Sequence, residues 1–215
     1  MTLADRGMTL VELLVASALG VLLLTLVFWF LVPAMRLSSQ GGARTEVQQQ
    51  GVFALSRIEE ALQNTVLAGT SLFPRDPLRP GGPVGLIMQP LEDVTSGGRA
   101  TYRPELVVVF WDRDKATLNM ETWRAPMPPG ALSVTLTDSR PQTVTRADFD
   151  ALVTGTSGKE RLLAAGVADF DVLDEDAGPA VQMPLTLRLA LERKTAQTTR
   201  PERFELTRMV TLRNR

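Results

Sequence analysis

The chain of 215 residues contains no cysteine and no histidine, and its formal net charge is −1. Without cysteine there are no disulfide staples, no thiolate nucleophile and no sulfur-ligated metal, and the redox compartment stays open. Without histidine the Ser-His-Asp arrangement, imidazole acid–base work near neutral pH and most zinc chemistry are excluded. A near-neutral charge supplies no global field for wrapping a polyanion. Most familiar enzyme constellations are therefore closed to this chain.

What is present is concentrated at the front. Residues 13–32 form an apolar run whose only polar members are Ser17 and Thr25. About 20 apolar residues match the hydrocarbon thickness of a bilayer, whereas a secretory signal core is shorter, about 7 to 15. The small-x-small triplet Ala16-Ser17-Ala18 lies inside the run rather than after it, which argues against signal cleavage there. Glu12 stands at the start of the run. An ionised side chain in hydrocarbon costs about 2.5 to 3.5 kcal/mol, so such a carboxylate is by default a functional residue with a partner. The alternative is a carboxylate at headgroup level that snorkels to water. Glu12 alone fits both.

The heptad of residues Gly7-Met8-Thr9-Leu10-Val11-Glu12-Leu13 resembles the cleavage and methylation signature of type IV prepilins and pseudopilins. The resemblance implies a peptidase cut between Gly7 and Met8, N-methylation of Met8, and Glu12 as the fifth mature residue and the subunit-assembly contact. Met8 stands where the family most often has Phe. The physical sense of the motif is direct. Glycine lets a protease bring its groups close to the scissile carbonyl. The cut creates an amine about one helical turn from Glu12, and the amine of one copy can meet the carboxylate of a neighbour, neutralising the charge and setting the axial register.

The chain reads as four parts: a leader at 1–7, a transmembrane helix at 8–32, an amphipathic helix at 33–66 and a β-rich head at 67–215. Pro33 can kink a helix. Gly41-Gly42, at about 1 kcal/mol each against alanine, predict local melting. From 43 onward Val47, Gly51, Ala54, Ile58, Ala61, Leu62 and Thr65 recur at three- and four-residue intervals, with Arg44, Gln48, Gln49, Glu59, Glu60 and Gln63 between them, the pattern of a helix lying on a domain. Residues 69–104 are rich in glycine and proline and read as a long loop, with a short strand at 85–88.

Strand patterns follow at 105–111, 117–124 and 131–137, with a turn at 127–130, the makings of an antiparallel meander. Thr145 caps a short helix, and 155–158 reads as a loop. Residues 162–173 form one further stretch, followed by an acidic turn at 174–178 and half-buried strands at 185–192 and 204–212. This order resembles minor pilins and pseudopilins of the J/W type.

Candidate chemistry is sparse. Asp174-x-Asp176-x-Gly178 is similar to the start of a calcium loop, but Leu185 stands where the twelfth-position Glu would be. A solvated turn accounts for the same residues. The last 28 residues carry Arg188, Arg193, Lys194, Arg200, Arg203, Arg208, Arg213 and Arg215 against Glu192, Glu202 and Glu205. That excess could touch a polyanion, but basic residues also protect exposed strand edges, which is the reading favoured here. Asp148, Asp150, Asp169 and Asp171 have no spacing that marks an acid–base pair.

The expected fold class is α+β of the type IV pilin-like kind, a long N-terminal helix packed on an antiparallel β-rich head. The resemblance implies a minor pilin or pseudopilin of a type IV pilus or type II secretion pseudopilus. Its expected partners are prepilin peptidase, other pilins or minor pseudopilins, and the inner membrane with its assembly platform. DNA would join them in a competence system. It would be single-pass in the inner (cytoplasmic) membrane with the head in the periplasm or exterior, would carry no cofactor and would not be an enzyme. The alternative is a single-span membrane-anchored binding module or hydrolase unrelated to filaments.

Overall fold

The first helix, α1, spans Leu10–Gln63, 54 residues. The structure, a computed structural model, describes residues 9–77, 81–94, 96, 100–125, 136–155, 159–174, 181–193 and 201–212. The chain divides into two compact units, Met1–Thr45 and Glu46–Arg215.

In the first unit, Leu10–Met35 is a stretch of 26 residues with mean hydropathy 2.6, long and apolar enough to cross a membrane, and its side chains are exposed rather than packed. Its two hydroxyls are satisfied locally: Ser17 Oγ donates to the Leu14 carbonyl at 2.9 Å and Thr25 Oγ1 to that of Val21 at 2.8 Å. Neither needs a partner from outside the helix. The melting expected at Gly41-Gly42 does not occur, and Pro33 is likewise inside α1. A proline removes one backbone bond and each glycine costs about 1 kcal/mol, penalties that a long helix absorbs because each added residue brings its own bond.

In the second unit α1 is amphipathic as its spacing predicts, burying Val47, Ala54, Leu55, Ile58 and Leu62. It stops at Gln63, short of the expected 66, because Thr65 begins a strand. Asn64 Nδ2 donates to the Glu60 carbonyl at 2.9 Å, satisfying one group of the last turn.

The strands are β1 (Thr65–Phe73), β2 (Val84–Val94), β3 (Ala100–Tyr102), β4 (Glu105–Asp112), β5 (Thr117–Arg124), β6 (Lys159–Ala165), β7 (Val167–Leu173), β8 (Leu185–Arg193) and β9 (Glu202–Val210), with α2 (Arg146–Thr154) between β5 and β6. All pairings are antiparallel. The larger sheet has the order β1-β2-β4-β5-β6 with β3 on β2, and the smaller the order β7-β8-β9.

The glycine- and proline-rich stretch 69–104 is therefore not a loop but contributes three strands. Composition misleads because Pro74 and Pro83 sit just outside the strands, where a missing N–H costs the ladder nothing, and Gly85 is inside β2 because β4 approaches too closely for a side chain. The stretch 162–173 divides between two sheets. Gly166, at φ +70°, makes the break, and a Cβ there would lie 2.6 Å from the Glu192 carbonyl oxygen. The expected turn at 127–130 and most of the strand at 131–137 lie outside the described residues, and Leu136 and Thr137 are not in a strand.

Two cores result. One lies between the inner face of α1 and the sheets, with Ile58, Leu62, Leu86, Met88, Phe170, Leu187 and Leu189 among its members. The other lies on the opposite face of the larger sheet under α2, built from Phe73, Ile87, Leu106, Val108, Phe110, Trp123, Phe149 and Leu152. The rings of Phe73 and Phe149 stack at 4.3 Å. α2 begins where expected, with Thr145 and Asp148 forming a reciprocal capping box.

Candidate functional site

The candidate site is Glu12, in the first turn of α1. Thr9 caps that helix. Its backbone N–H donates to Glu12 Oε2 at 3.0 Å, its hydroxyl donates to the same oxygen at 3.1 Å, and the Glu12 N–H donates to Thr9 Oγ1 at 3.3 Å. The Thr9 carbonyl accepts the first helical bond, from the Leu13 N–H at 3.2 Å. Thr9-x-x-Glu12 is thus a capping box, in which the carboxylate and the hydroxyl each satisfy an orphan donor of the helix start. The signal was in the sequence, since Ser/Thr-x-x-Asp/Glu ahead of an apolar run marks a helix start. Among the described residues the hydrogen bonds of Glu12 go to Thr9, through Oε2, which leaves Oε1 to accept from elsewhere. Gly7 and Met8, the expected cleavage and methylation residues, lie outside the described residues.

Three of the basic candidates, Arg193, Arg203 and Arg208, form ion pairs with carboxylates of α1 and β9. Arg193 Nη1 meets Glu46 of α1 at 2.5 Å, and Arg208 bridges Glu59 at 2.5 Å and the Ser56 hydroxyl at 3.2 Å. Arg203 meets Glu205 at 3.0 Å. These guanidiniums tie the smaller sheet to the amphipathic part of α1 and to one another. Lys194, Arg200, Arg213 and Arg215 lie outside the described residues.

Of the four carboxylates considered for acid–base work, Asp148 is in its capping box, Asp150 pairs with Arg146 at 3.2 Å, Asp169 pairs with Arg75, and Asp171 accepts from the Val172 N–H at 3.0 Å. A groove of about 70 Å³ on the outer face of the smaller sheet is lined by both signs, including Asp169, Asp171, Arg188, Arg203 and Glu205. Its mixed charge selects no class of ligand. Asp174 directly follows β7, and its expected calcium partner Asp176 lies outside the described residues. Among the described residues no three metal-ligating side chains converge.

Two buried polar residues carry more structure than their sequence context announces. Gln89 is fully buried in β2; its Nε2 donates to the carbonyls of Arg103 at 3.2 Å and Thr137 at 3.1 Å, and its Oε1 accepts from the Gln142 N–H at 2.9 Å. Glu121 is buried in β5 and accepts from Trp123 Nε1 at 2.9 Å. Burial, with the negative charge of Glu160, holds the Glu121 carboxyl above the usual carboxylate range against the Trp123 bond and the Lys115 charge.

No protein-family model matches the chain, and no curated protein matches it.

Proposed function

We propose that the chain is a prepilin-like protein of the minor pilin or pseudopilin class, cut between Gly7 and Met8, N-methylated on Met8 and inserted through Glu12 into a type IV pilus or type II secretion pseudopilus, or the tip that primes it. The observation that carries the reading is the carboxylate of Glu12 at the start of a membrane-length apolar helix, directly after the leader-like Arg6-Gly7-Met8. The α+β architecture, with an apolar N-terminal helix and antiparallel sheets, supports it. On this reading the partners are prepilin peptidase, sibling pilins and the inner-membrane assembly platform. The head lies in the periplasm or exterior, and the chain is a substrate of enzymes rather than a catalyst. Glu12 Oε1 is the atom that a neighbour's Met8 amine would meet, with Oε2 held by Thr9.

Mass spectrometry of the mature N-terminus tests the reading. Expected is a chain beginning at methylated Met8; a chain still beginning at Met1 in cells with active peptidase overturns it.

The capping box favours a second reading, a membrane-anchored binding module whose span is only an anchor. A carboxylate that serves its own helix start has a role without a neighbour. In that case a foreign transmembrane helix in place of residues 8–32 preserves function, whereas a pilin loses it. On the DNA-uptake branch, Arg193, Arg203 and Arg208 would meet a polyanion with carboxylate partners already in place.

A further inference from the structure

Among the described residues β6 is an edge strand of the larger sheet, and its register places Glu160 directly opposite Glu121 of β5. Like charges directly opposite on an antiparallel pair repel. The two differ in setting: Glu160 is exposed, whereas Glu121 is 6% exposed. Among the described residues the donor to the buried carboxylate is the indole Nε1 of Trp123, on the same strand. An indole offers a single proton. One neutral hydrogen bond is a small return for desolvating a carboxylate that also faces a second one.

The neighbouring elements offer little further compensation. β4 presents Val108 in register with Glu121, while Glu105 of β4 is turned to the opposite face and paired with Arg103 and Arg124. On β6, Arg161 alternates to the opposite face from Glu160. α2, packed over the same face as Trp123, keeps Asp148 in its own capping box and Asp150 on Arg146. Lys115, in the turn between β4 and β5, is the cation whose charge reaches Glu121, and its ammonium is bound to Asp112 at 3.0 Å.

We propose that Glu121 holds a proton opposite the Glu160 carboxylate, and that loss of this proton to solvent loosens the edge strand β6 from β5. With the proton bound, a carboxylic acid faces a carboxylate and the pair is tolerated. With it gone, two carboxylates face each other, one of them buried. Because the carboxyl of Glu121 is held above its ordinary range in the folded chain, the stabilisation is fully present below the ordinary glutamate value and is lost as pH rises through the folded one. The device responds to proton concentration and is independent of whether the chain enters a filament.

Hydrogen–deuterium exchange on the full chain in detergent micelles, corrected for intrinsic exchange and run from about pH 4, below the ordinary glutamate value, to about pH 8, tests it. In the parent chain the protection of residues 159–165, taken relative to β4, should fall several-fold as pH rises. Glu121→Gln, whose amide oxygen still accepts from Trp123, should abolish that fall and leave β6 better protected at the alkaline end. Glu160→Gln, at an exposed position that should not disturb folding, should shift the fall to lower pH by removing one negative charge. A fall that is the same in the parent chain and Glu121→Gln overturns the proposal. So does one unmoved by Glu160→Gln, or one shared equally by β4.

Discussion

Gly85 of β2 stands directly opposite Phe110 of β4, and the neighbouring Val109 carbonyl oxygen occupies the place a Cβ at position 85 would take. The Phe149 ring closes the site from the α2 side, 3.0 Å from that same position. Backbone cannot yield as a side chain can. Gly85→Ala should therefore destabilise the head by about 1 to 3 kcal/mol, the range for overpacking. Gly51 of α1 provides the contrast, since what a Cβ would meet there is the ends of Leu206 and Leu191. Those ends can swing, and alanine gains about 0.8 to 1 kcal/mol over glycine in a helix. Gly51→Ala should stay within about 1 kcal/mol of the parent chain. Denaturant midpoints of the two variants in the same detergent check both expectations, and equal losses would contradict the distinction between backbone and side-chain obstacles.

Gln89 holds together three segments distant in sequence. From its buried position its amide takes the carbonyls of Arg103 and Thr137 and the N–H of Gln142, each bond part-buried. Gln89→Leu keeps the volume and strands those three groups. Each unsatisfied buried group costs about 1 to 3 kcal/mol, so the loss should exceed that of an ordinary surface change several-fold. Amide exchange should locate the damage in residues 136–142 ahead of β4. Protection lost evenly over the sheet would mean that Gln89 acts through packing instead.

The acid limb of stability should depend on Asp112. Partial burial pushes its carboxyl up, but hydrogen bonds from the Lys115 N–H at 3.1 Å and ammonium at 3.0 Å outweigh burial and hold it below the usual aspartate range. A depressed carboxyl contributes stability above its unfolded value and loses that contribution as pH falls through the folded one. Asp112→Asn should thus be less stable than the parent at neutral pH, with the gap closing as acid protonates the parent's carboxylate. The effect is small because Lys115 is largely exposed. Thermal melts of both chains across the acid range measure it, and a gap that stays constant with pH would show that charge plays no part.

How much of this was legible in advance depends on whether a residue's role is local. The inner face of α1 from Val47 to Leu62, the strand at 105–111 and the Thr145 cap are local patterns of period or spacing, and the structure follows them. The stretch 69–104 reads as a loop by the number of its prolines and glycines, but their placement decides. Pro83 ends just where β2 begins, and Gly85 answers to the Val109 carbonyl 24 residues away. The partners of Gln89 and the meeting of Glu121 with Glu160 depend on strand register, which no single stretch encodes. Thr9 is the reverse case. Its role is local, since Thr9-x-x-Glu12 places the carboxylate at the third residue of the helix, and it is independent of the membrane and leader readings of Glu12.

The cap that Glu12 forms and the assembly contact proposed for it are separable by substitution. Glu12→Gln preserves a capping box, because a glutamine oxygen still accepts from the Thr9 N–H, but removes the charge. Glu12→Ala removes both. Thr9→Ala removes the hydroxyl cap and leaves the charge, at about 0.5 to 2 kcal/mol of helix-start stability. If Glu12 pairs with the amine of a neighbouring subunit, Glu12→Gln and Glu12→Ala should both insert normally and both fail to enter filaments, while Thr9→Ala should be reduced but not abolished. If Glu12 serves only its own helix, Glu12→Gln should behave as the parent and Thr9→Ala should resemble Glu12→Ala. Quantifying each variant in sheared filament fractions against membrane fractions distinguishes the two, because the intermolecular pair responds to charge and the cap responds to hydrogen bonding.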